Sequence, residues 1–251
     1  GNQGLSYARN TGIQSARGDL IVFTDDDVTF DANWLLCLEA AFDSNDVNAL
    51  GGKIIPVWPG PLPKWFKAKG PRATPKAIVS FDLGDDACEV KHDLVGASMA
   101  FRREIFVRYG GFRTDLGRNK DCLLGGEDVE FFERIRKGGE RLLYIPEAVL
   151  YHPVPDERTK KEYFQKWCFN GARSQVRMSG LPKAVYYFDI PRFLFRSIVE
   201  NFAKWMISTD PQRRFYYKLQ VWINAGTLVE TRRLRKHNSV QVLKELPPNP
   251  A

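Results

Sequence analysis

The sequence predicts an α/β domain with a mostly parallel sheet, followed by a C-terminal helical extension. Three observations carry this. Short apolar runs rich in Ile, Val and Phe alternate with segments of helical spacing across residues 5–151. One such run, Leu20–Phe23, ends in three consecutive carboxylates, Asp25-Asp26-Asp27, and the ends of strands are where open α/β sheets place ligands. Beyond Pro155 the strand signals stop and long amphipathic helical patterns take over. The division that follows is 1–156 for the α/β part, 157–236 for a basic helical extension, and 237–251 for a tail expected to be disordered.

Taken in order, Leu5–Ala16 has helical spacing, with Leu5, Ala8, Gly12/Ile13 and Ala16 on one face. Ser6 is a candidate cap and Gly18 a stop. The run Leu20–Thr24 then reads as a buried strand. Asp31 or Asn33 opens a helix through about Phe42, with Trp34, Leu35, Leu38 and Phe42 inward. Val47–Val57 holds a second strand, interrupted by Gly51-Gly52. Residues 56–75 carry six prolines with Trp58, Trp65 and Phe66, a loop of the length that tends to be functional. Ile78–Leu83 and Ser98–Phe101 read as short strands, and Arg103–Tyr109 as a short helix ended by Gly110-Gly111. A helix starts at Glu127 after Gly125-Gly126, with Val129, Phe132 and Ile135/Arg136 at core spacing, and stops at Gly138-Gly139. Leu142–Ile145 and Ala148–Tyr151 are two short strands that deliver His152. Helices follow over roughly 157–178, 191–208 and 212–236. Phe195, Val199, Phe202 and Met206 line one side of the second; Phe215, Leu219, Trp222, Gly226 and Val229 line one side of the third.

The net charge of +7 is unevenly spread. Residues 1–155 hold 19 Lys and Arg against 22 Asp and Glu, and residues 156–236 hold 17 against 7. An acidic half followed by a basic, aromatic half suggests two jobs. With 43% hydrophobic residues the chain has material for a real core. Cys37, Cys88, Cys122 and Cys168 are widely spaced, which fits neither a zinc site nor a disulfide framework and points to a reducing compartment. No apolar run is long enough to span a bilayer.

Four clusters carry chemistry. In Asp25-Asp26-Asp27, pleating along an extended strand end points Asp25 and Asp27 to one side and Asp26 to the other. Adjacent carboxylates repel, and a divalent cation relieves that repulsion. An acidic turn leading into the next helix is the alternative reading. Glu127-Asp128 stands at a helix start, where the dipole favours acids and where a rigid carboxylate suits a general base. His152 either packs as a structural histidine or completes a divalent site begun by carboxylates. Arg9 and Arg17, with Arg158, Lys160 and Lys161 downstream, are candidates for phosphate contact among ordinary surface charges.

Together these pieces resemble a family. The run Gly4-Leu5-Ser6-x-Ala8-Arg9-Asn10-x-Gly12, then Ala16-Arg17-Gly18-Asp19 and the strand ending in Asp25-Asp26-Asp27, is similar to family 2 glycosyltransferases of the GT-A fold. The similarity continues through Val95-Gly96-Ala97-Ser98, Gly110-Gly111-Phe112, Gly126-Glu127-Asp128 and Val149-Leu150-Tyr151-His152, covering about residues 1–175. The resemblance implies sugar transfer from a nucleotide-diphosphate donor to an acceptor hydroxyl with inversion, of the kind used in bacterial polysaccharide or glycoconjugate synthesis. It implies Asp25 at the nucleoside and Asp27 binding Mn²⁺ or Mg²⁺. Asp128 would be the general base beside Glu127, and His152 a further metal or diphosphate contact. Asp26, Arg9, Gly96 and Ala97 join Asp25 on the donor side, Gly96-Ala97 leaving room for the sugar. The loops 56–75 and 113–124 would shape the acceptor side.

The family begins with a strand–helix–strand that cradles base and ribose, and none precedes Gly1. On this reading about 60–80 residues of such units are expected to be absent, the chain being a piece of a longer one or another chain supplying that half. A chain starting at Gly1 is therefore expected to lack the central strand and to be poorly stable and inactive by itself. Two rival readings remain. Asp25-x-Asp27-x-Thr29 also fits the first motif of haloacid-dehalogenase-type phosphatases, with Gly84-Asp85-Asp86 after Ile78–Leu83 as the second acidic cluster. The other rival is a catalytically incomplete binding domain. Expected partners are the nucleotide-sugar donor, a saccharide or lipid-linked acceptor, and an anionic membrane surface met through 191–236, with packing of those helices as the alternative. A homo-oligomer is a further candidate. Nucleic acid is not expected, because the aromatics fall at core spacing. The expected location is the cytoplasm, peripheral at the inner face of the membrane.

Overall fold

A computed structural model of the chain describes residues 4–67, 71–74, 77–91, 94–118 and 124–245, with side chains to residue 236. Cys122, parts of the loops 56–75 and 113–124, and the tail beyond residue 245 lie outside the described residues. The chain divides into two compact units. One takes in Gly1–Leu62 and Lys76–Lys160, the other Pro63–Pro75 and Lys161–Ala251.

The first unit is built on one mixed sheet. It opens with α1 (Leu5–Ser15), β1 (Leu20–Thr24), β2 (Thr29–Phe30) and α2 (Trp34–Ser44), followed by β3 (Ala49–Val57), β4 (Cys88–Glu89) and β5 (Ser98–Arg102). It closes with α3 (Glu104–Tyr109), α4 (Glu127–Lys137) and β6 (Leu142–Pro153). The sheet order is β1-β5-β3-β6-β2, with β4 also paired to β6. Among the described residues only β3 and β6 pair in parallel; β5 runs antiparallel between β1 and β3, and β2 and β4 are antiparallel to β6. The α/β class with flanking helices holds, but the sheet is mixed rather than mostly parallel. The physical reason is the connection: among the described residues between β3 and β5 no α-helix forms, so no helical crossover imposes parallel pairing.

Several elements differ from expectation in detail. Residues 142–145 and 148–151 are halves of one strand, β6, which passes a register shift where Gly52 pairs Ile145 and Lys53 pairs Val149. A side chain on Gly52 would collide with the Ala148 carbonyl at that bulge. Ile78–Leu83 is not a strand; it contributes one bridge, Ile54 to Phe81. In α2 the buried face is Trp34, Leu38, Ala41 and Phe42, while Leu35 is 57% exposed. Asp31 Oδ1 accepts from Asn33 N at 3.0 Å just before that helix.

Helix α1 turns a different face inward from the apolar one. Ser6 and Arg9 are its buried residues. Their partners lie far along the chain: Ser6 Oγ donates to Leu116 O at 2.8 Å, and Asn10 exchanges two 2.8 Å bonds with the backbone of Phe112. Leu5, Ala8, Gly12 and Ala16 instead line an open groove of about 390 Å³ along β1 that reaches Asp25. Among the described residues β1 is paired on one side only.

The core between sheet and helices is aromatic. Phe131 lies 4.8 Å from Phe112, 5.4 Å from Phe106 and 5.5 Å from Phe101, ring centre to ring centre. In α4 the buried set is Glu127, Phe131, Phe132 and Ile135, at helical spacing. That register carries Glu127 inward on the same face as Phe131 and leaves Asp128 at its shoulder.

The second unit comprises α5 (Lys161–Ser179), β7 (Tyr186–Tyr187), β8 (Ile190–Pro191), α6 (Arg192–Ile207) and α7 (Pro211–Glu245). The backbone helix of α7 continues to Glu245, past residue 236 where a disordered tail was expected to begin. Trp65 packs in this unit, 5.2 Å from the Phe164 ring and 4.7 Å from the Phe215 ring. Helices α5 and α7 approach closely enough that a side chain on Gly226 would meet the Phe169 carbonyl. The apolar side expected on α7 is buried at Phe215 and Leu219 but partly open at Trp222 and Val229. Glu230 is fully buried and accepts from Arg173 (2.9 Å), Arg177 (2.8 Å) and Arg233 (2.6 Å).

Candidate active site

Two clusters of chemistry-bearing side chains form in the first unit. The first is made where β1 ends and β6 ends. Chain direction changes at once after Thr24: Asp25 leaves the strand and Asp26-Asp27 forms a turn toward β2. Asp25 and Asp27 do face one place together, as expected, but the turn rather than the strand pleat puts them there. His152, near the end of β6 and buried, completes the group. Its Nε2 lies 3.2 Å from Asp25 Oδ2 and 3.8 Å from Asp27 Oδ1. One ligand atom from each of the three lies within 4.8 Å of the others.

The histidine's other nitrogen fixes its chemistry. Nδ1 lies 2.8 Å from the Pro153 carbonyl oxygen, which only accepts, so Nδ1 carries the hydrogen. A neutral imidazole would then aim the Nε2 lone pair at two carboxylates. That arrangement is repulsive unless a proton or a metal cation stands between them. The bond to Asp25 raises the His152 pKa above its ordinary value; burial opposes this, and the Pro153 carbonyl and the Asp27 charge reinforce it. The same bond lowers the Asp25 pKa against the effect of burial, with help from the charges of His152, Arg9 and Arg118. Two hard carboxylate oxygens and one imidazole nitrogen fit a divalent cation.

The second cluster stands at the start of α4. Gly126 precedes it at φ 92°, a left-handed conformation that glycine adopts without strain. Glu127 is buried, and Arg9 Nη1 donates to its Oε1 at 2.7 Å. Among the described residues its Oε2 has no hydrogen-bond partner. Burial pushes the Glu127 carboxyl up, the neighbouring Asp128 adds to this, and Arg9 and Arg118 hold it back. Asp128 is half-buried, and its Oδ2 accepts from Gly96 N at 3.3 Å. Arg9 Nη2 also lies 3.5 Å from Gly96 O, and the guanidinium sits 5.3 Å from the Phe112 ring centre. A β-carbon on Gly96 would stand 2.5 Å from Arg9 Nη2 and 3.0 Å from Asp128 Oδ2. Gly96 is therefore held small by packing.

The structure thus brings Asp25, Asp27 and His152 together, and separately Arg9, Glu127, Asp128 and Gly96. Ala97 is buried beside Gly96, whereas Asp26 is exposed and outside the acidic–histidine group. Arg9 is buried rather than a surface charge, and its guanidinium is engaged by Glu127 and Gly96. Arg118 was missed. Its charge acts on both Asp25 and Glu127, and the one positional signal is that its carbonyl accepts from Leu5 N at 2.9 Å. The phosphatase reading fails on placement. Its second acidic cluster needs a strand that does not form, and Asp85 instead pairs with Lys53 at 2.9 Å.

The chain is similar to known proteins over much of its length. Residues 1–110 match the family profile described as glycosyl transferase family 2. Over 167 residues the chain is 29% identical to a glucosyl-dolichyl phosphate glucuronosyltransferase of Haloferax volcanii, covering 64% of this chain and 51% of that one. Over 175 residues it is 25% identical to the succinoglycan biosynthesis protein ExoM of Rhizobium meliloti, covering 69% and 52%. The chain spans about half the length of these curated relatives. Among solved structures, GalNAc-T7 with UDP, GalNAc and Mn²⁺ matches in fold at a TM-score of 0.50 and 18% identity, covering 79% of this chain and 37% of that one. Through its residues 1–110, this chain is similar to glycosyl transferase family 2.

Proposed function

We propose that the chain carries the acidic residues of a glycosyltransferase site that moves a sugar from a nucleoside-diphosphate donor to an acceptor hydroxyl with inversion. The observation behind this reading is the convergence of Asp25, Asp27 and His152 at the ends of β1 and β6. Those three residues would hold Mn²⁺ or Mg²⁺. When bound, the cation would offset the negative charge that develops on the departing diphosphate. Asp25 belongs to this ligand group as well as to the donor side, given its 3.2 Å approach to His152. Arg118 adds positive charge facing the same region.

Asp128 serves as the general base. Its carboxylate takes the proton of the acceptor hydroxyl as the new bond from that oxygen to the anomeric carbon forms. The bond from that carbon to the phosphate oxygen breaks, and the nucleoside diphosphate leaves with the electron pair. Glu127, tied to Arg9, positions Asp128 and does not itself reach substrate. Gly96 donates to Asp128 and lets Arg9 and Asp128 pack close to the backbone. The acceptor is a saccharide or a lipid-linked saccharide.

Calorimetric titration with nucleoside diphosphates, with and without Mn²⁺, tests the reading. Binding should require the metal and disappear in Asp27→Ala and His152→Ala. Asp128→Asn should keep binding and lose transfer. Metal-independent nucleotide binding would sink the proposal, and metal-dependent binding with transfer intact in Asp128→Asn would remove the base assignment.

A further inference from the structure

The helical unit presents an aromatic side chain to water at the tip of a small hairpin. Strands β7 and β8 pair as Tyr186 with Pro191 and Tyr187 with Ile190, which leaves a two-residue turn, Phe188-Asp189. Both turn residues have positive φ, 50° and 62°. Turns of this kind favour Asn-Gly or Asp-Gly, because a β-carbon is crowded in the left-handed region. Phe188 accepts that strain and still leaves 88% of its surface exposed. The tip is braced from behind. Arg235 Nε donates to Asp189 Oδ1 at 2.7 Å, and its guanidinium lies 4.3 Å from the Tyr186 ring centre.

Helix α6 starts directly after β8. Its inward side carries buried Leu194 together with Ser197, which donates to Asn224 Oδ1 of α7 at 3.2 Å. The stripe Phe195, Val199, Phe202 and Met206, at spacings of four, three and four residues, is 43–68% exposed. Arg192, Arg196 and Lys204 flank it, with one acid, Glu200, shared by Arg196 and Lys204. The unit bearing this face holds 20 Lys and Arg against 6 Asp and Glu. The unit bearing the acidic site holds 17 against 24.

We propose that this face, the Phe188 tip together with the Phe195–Met206 stripe, docks on the surface of an anionic phospholipid bilayer. Aromatic and aliphatic side chains enter the boundary between headgroups and acyl chains, and the flanking Arg and Lys meet lipid phosphates. Charge selects lipid over a second copy meeting this face with its own like face. Two strongly cationic units brought face to face repel, whereas an anionic leaflet attracts each of them. The helix lies along the surface, since among the described residues none is long and apolar enough to cross a membrane. The proposal stands apart from the sugar-transfer reading, because none of its residues belongs to the acidic unit.

Sedimentation of the full chain with vesicles tests it. At low salt the chain should co-sediment with phosphatidylserine-containing vesicles, bind pure phosphatidylcholine weakly, and be released by high salt. Phe188→Asn suits the left-handed turn, so it should hold or raise the melting temperature while lowering vesicle affinity about tenfold. The double variant Val199→Ser with Phe202→Ser should lower it at least as much. Absent binding at low salt, equal binding to neutral vesicles, or unchanged binding in both variants overturns the proposal. A dimer seen by light scattering that the double variant dissociates, with vesicle binding intact, overturns it in favour of a second copy.

Discussion

His152 Nε2 lies 3.2 Å from Asp25 Oδ2 while its Nδ1 is tied to the Pro153 carbonyl at 2.8 Å. The second contact fixes the tautomer, so a single position at Nε2 is contested by a proton and a cation. The first contact raises the pKa of the ring above its ordinary value, which strengthens the proton's hold on that position. A cation that takes the site must displace it. Mn²⁺ affinity should therefore rise with pH, by up to about tenfold per unit below the raised pKa, and level off above it. Titration calorimetry across a pH series reads this directly. In His152→Ala the affinity should be weaker and the slope shallower; an unchanged slope would mean the histidine is not a ligand.

How much of this was legible beforehand depended on whether a signal was local. The strand Leu20–Thr24, its acidic end, the helix start at Glu127 and the delivery of His152 each rest on a few adjacent residues, and each stands where expected. The placement of β5 between β1 and β3 leaves no periodic trace, because pairing partners are chosen over distances of tens of residues. Burial of Ser6 and Arg9 was hidden for the same reason. A polar residue goes inside when a distant partner satisfies it, and Leu116 and Glu127 are such partners. On α6 the apolar stripe was visible, but periodicity says only that a face exists and not that it looks outward.

Gly96 offers a test of close packing at the second cluster. An added β-carbon would stand 2.5 Å from Arg9 Nη2 and 3.0 Å from Asp128 Oδ2, so at least one of these groups must move. Gly96→Ala should cost about tenfold or more in kcat while Mn²⁺ affinity stays near the parent value. Parallel measurement of turnover and metal titration separates this from general unfolding, which would lower both.

Arg9 and Glu127 form a buried pair, with side chains 8% and 5% exposed. Removing the cation leaves a carboxylate that burial and Asp128 already push toward protonation. Arg9→Met should destabilise the unit by about 3–5 kcal/mol, the range for breaking a buried pair from one side. Replacing both partners, Arg9→Met with Glu127→Leu, should recover part of that loss. Chemical denaturation of the two variants would show it, and a double variant no more stable than Arg9→Met would argue that the pair is not the cause.

Glu230 makes a prediction for the helical unit with a definite sign in pH. Its carboxylate is fully buried, and burial alone would raise its pKa, yet hydrogen bonds from Arg177, Arg233 and Arg173 outweigh that and lower it. A carboxyl whose folded pKa lies below its unfolded value binds fewer protons in the folded state. It therefore contributes stability that is complete above the unfolded pKa, near 4.5, and is lost as pH falls through the folded value. Glu230→Gln keeps the shape and removes the charge, leaving Arg173, Arg177 and Arg233 without their shared carboxylate. It should lower stability by about 3 kcal/mol at neutral pH, and the deficit relative to the parent should shrink as the solution is acidified below about pH 4.5. Helical circular dichroism followed against temperature at several pH values measures both effects. A deficit that stays constant down to acid would show that packing, rather than the ion cluster, is what the substitution removes.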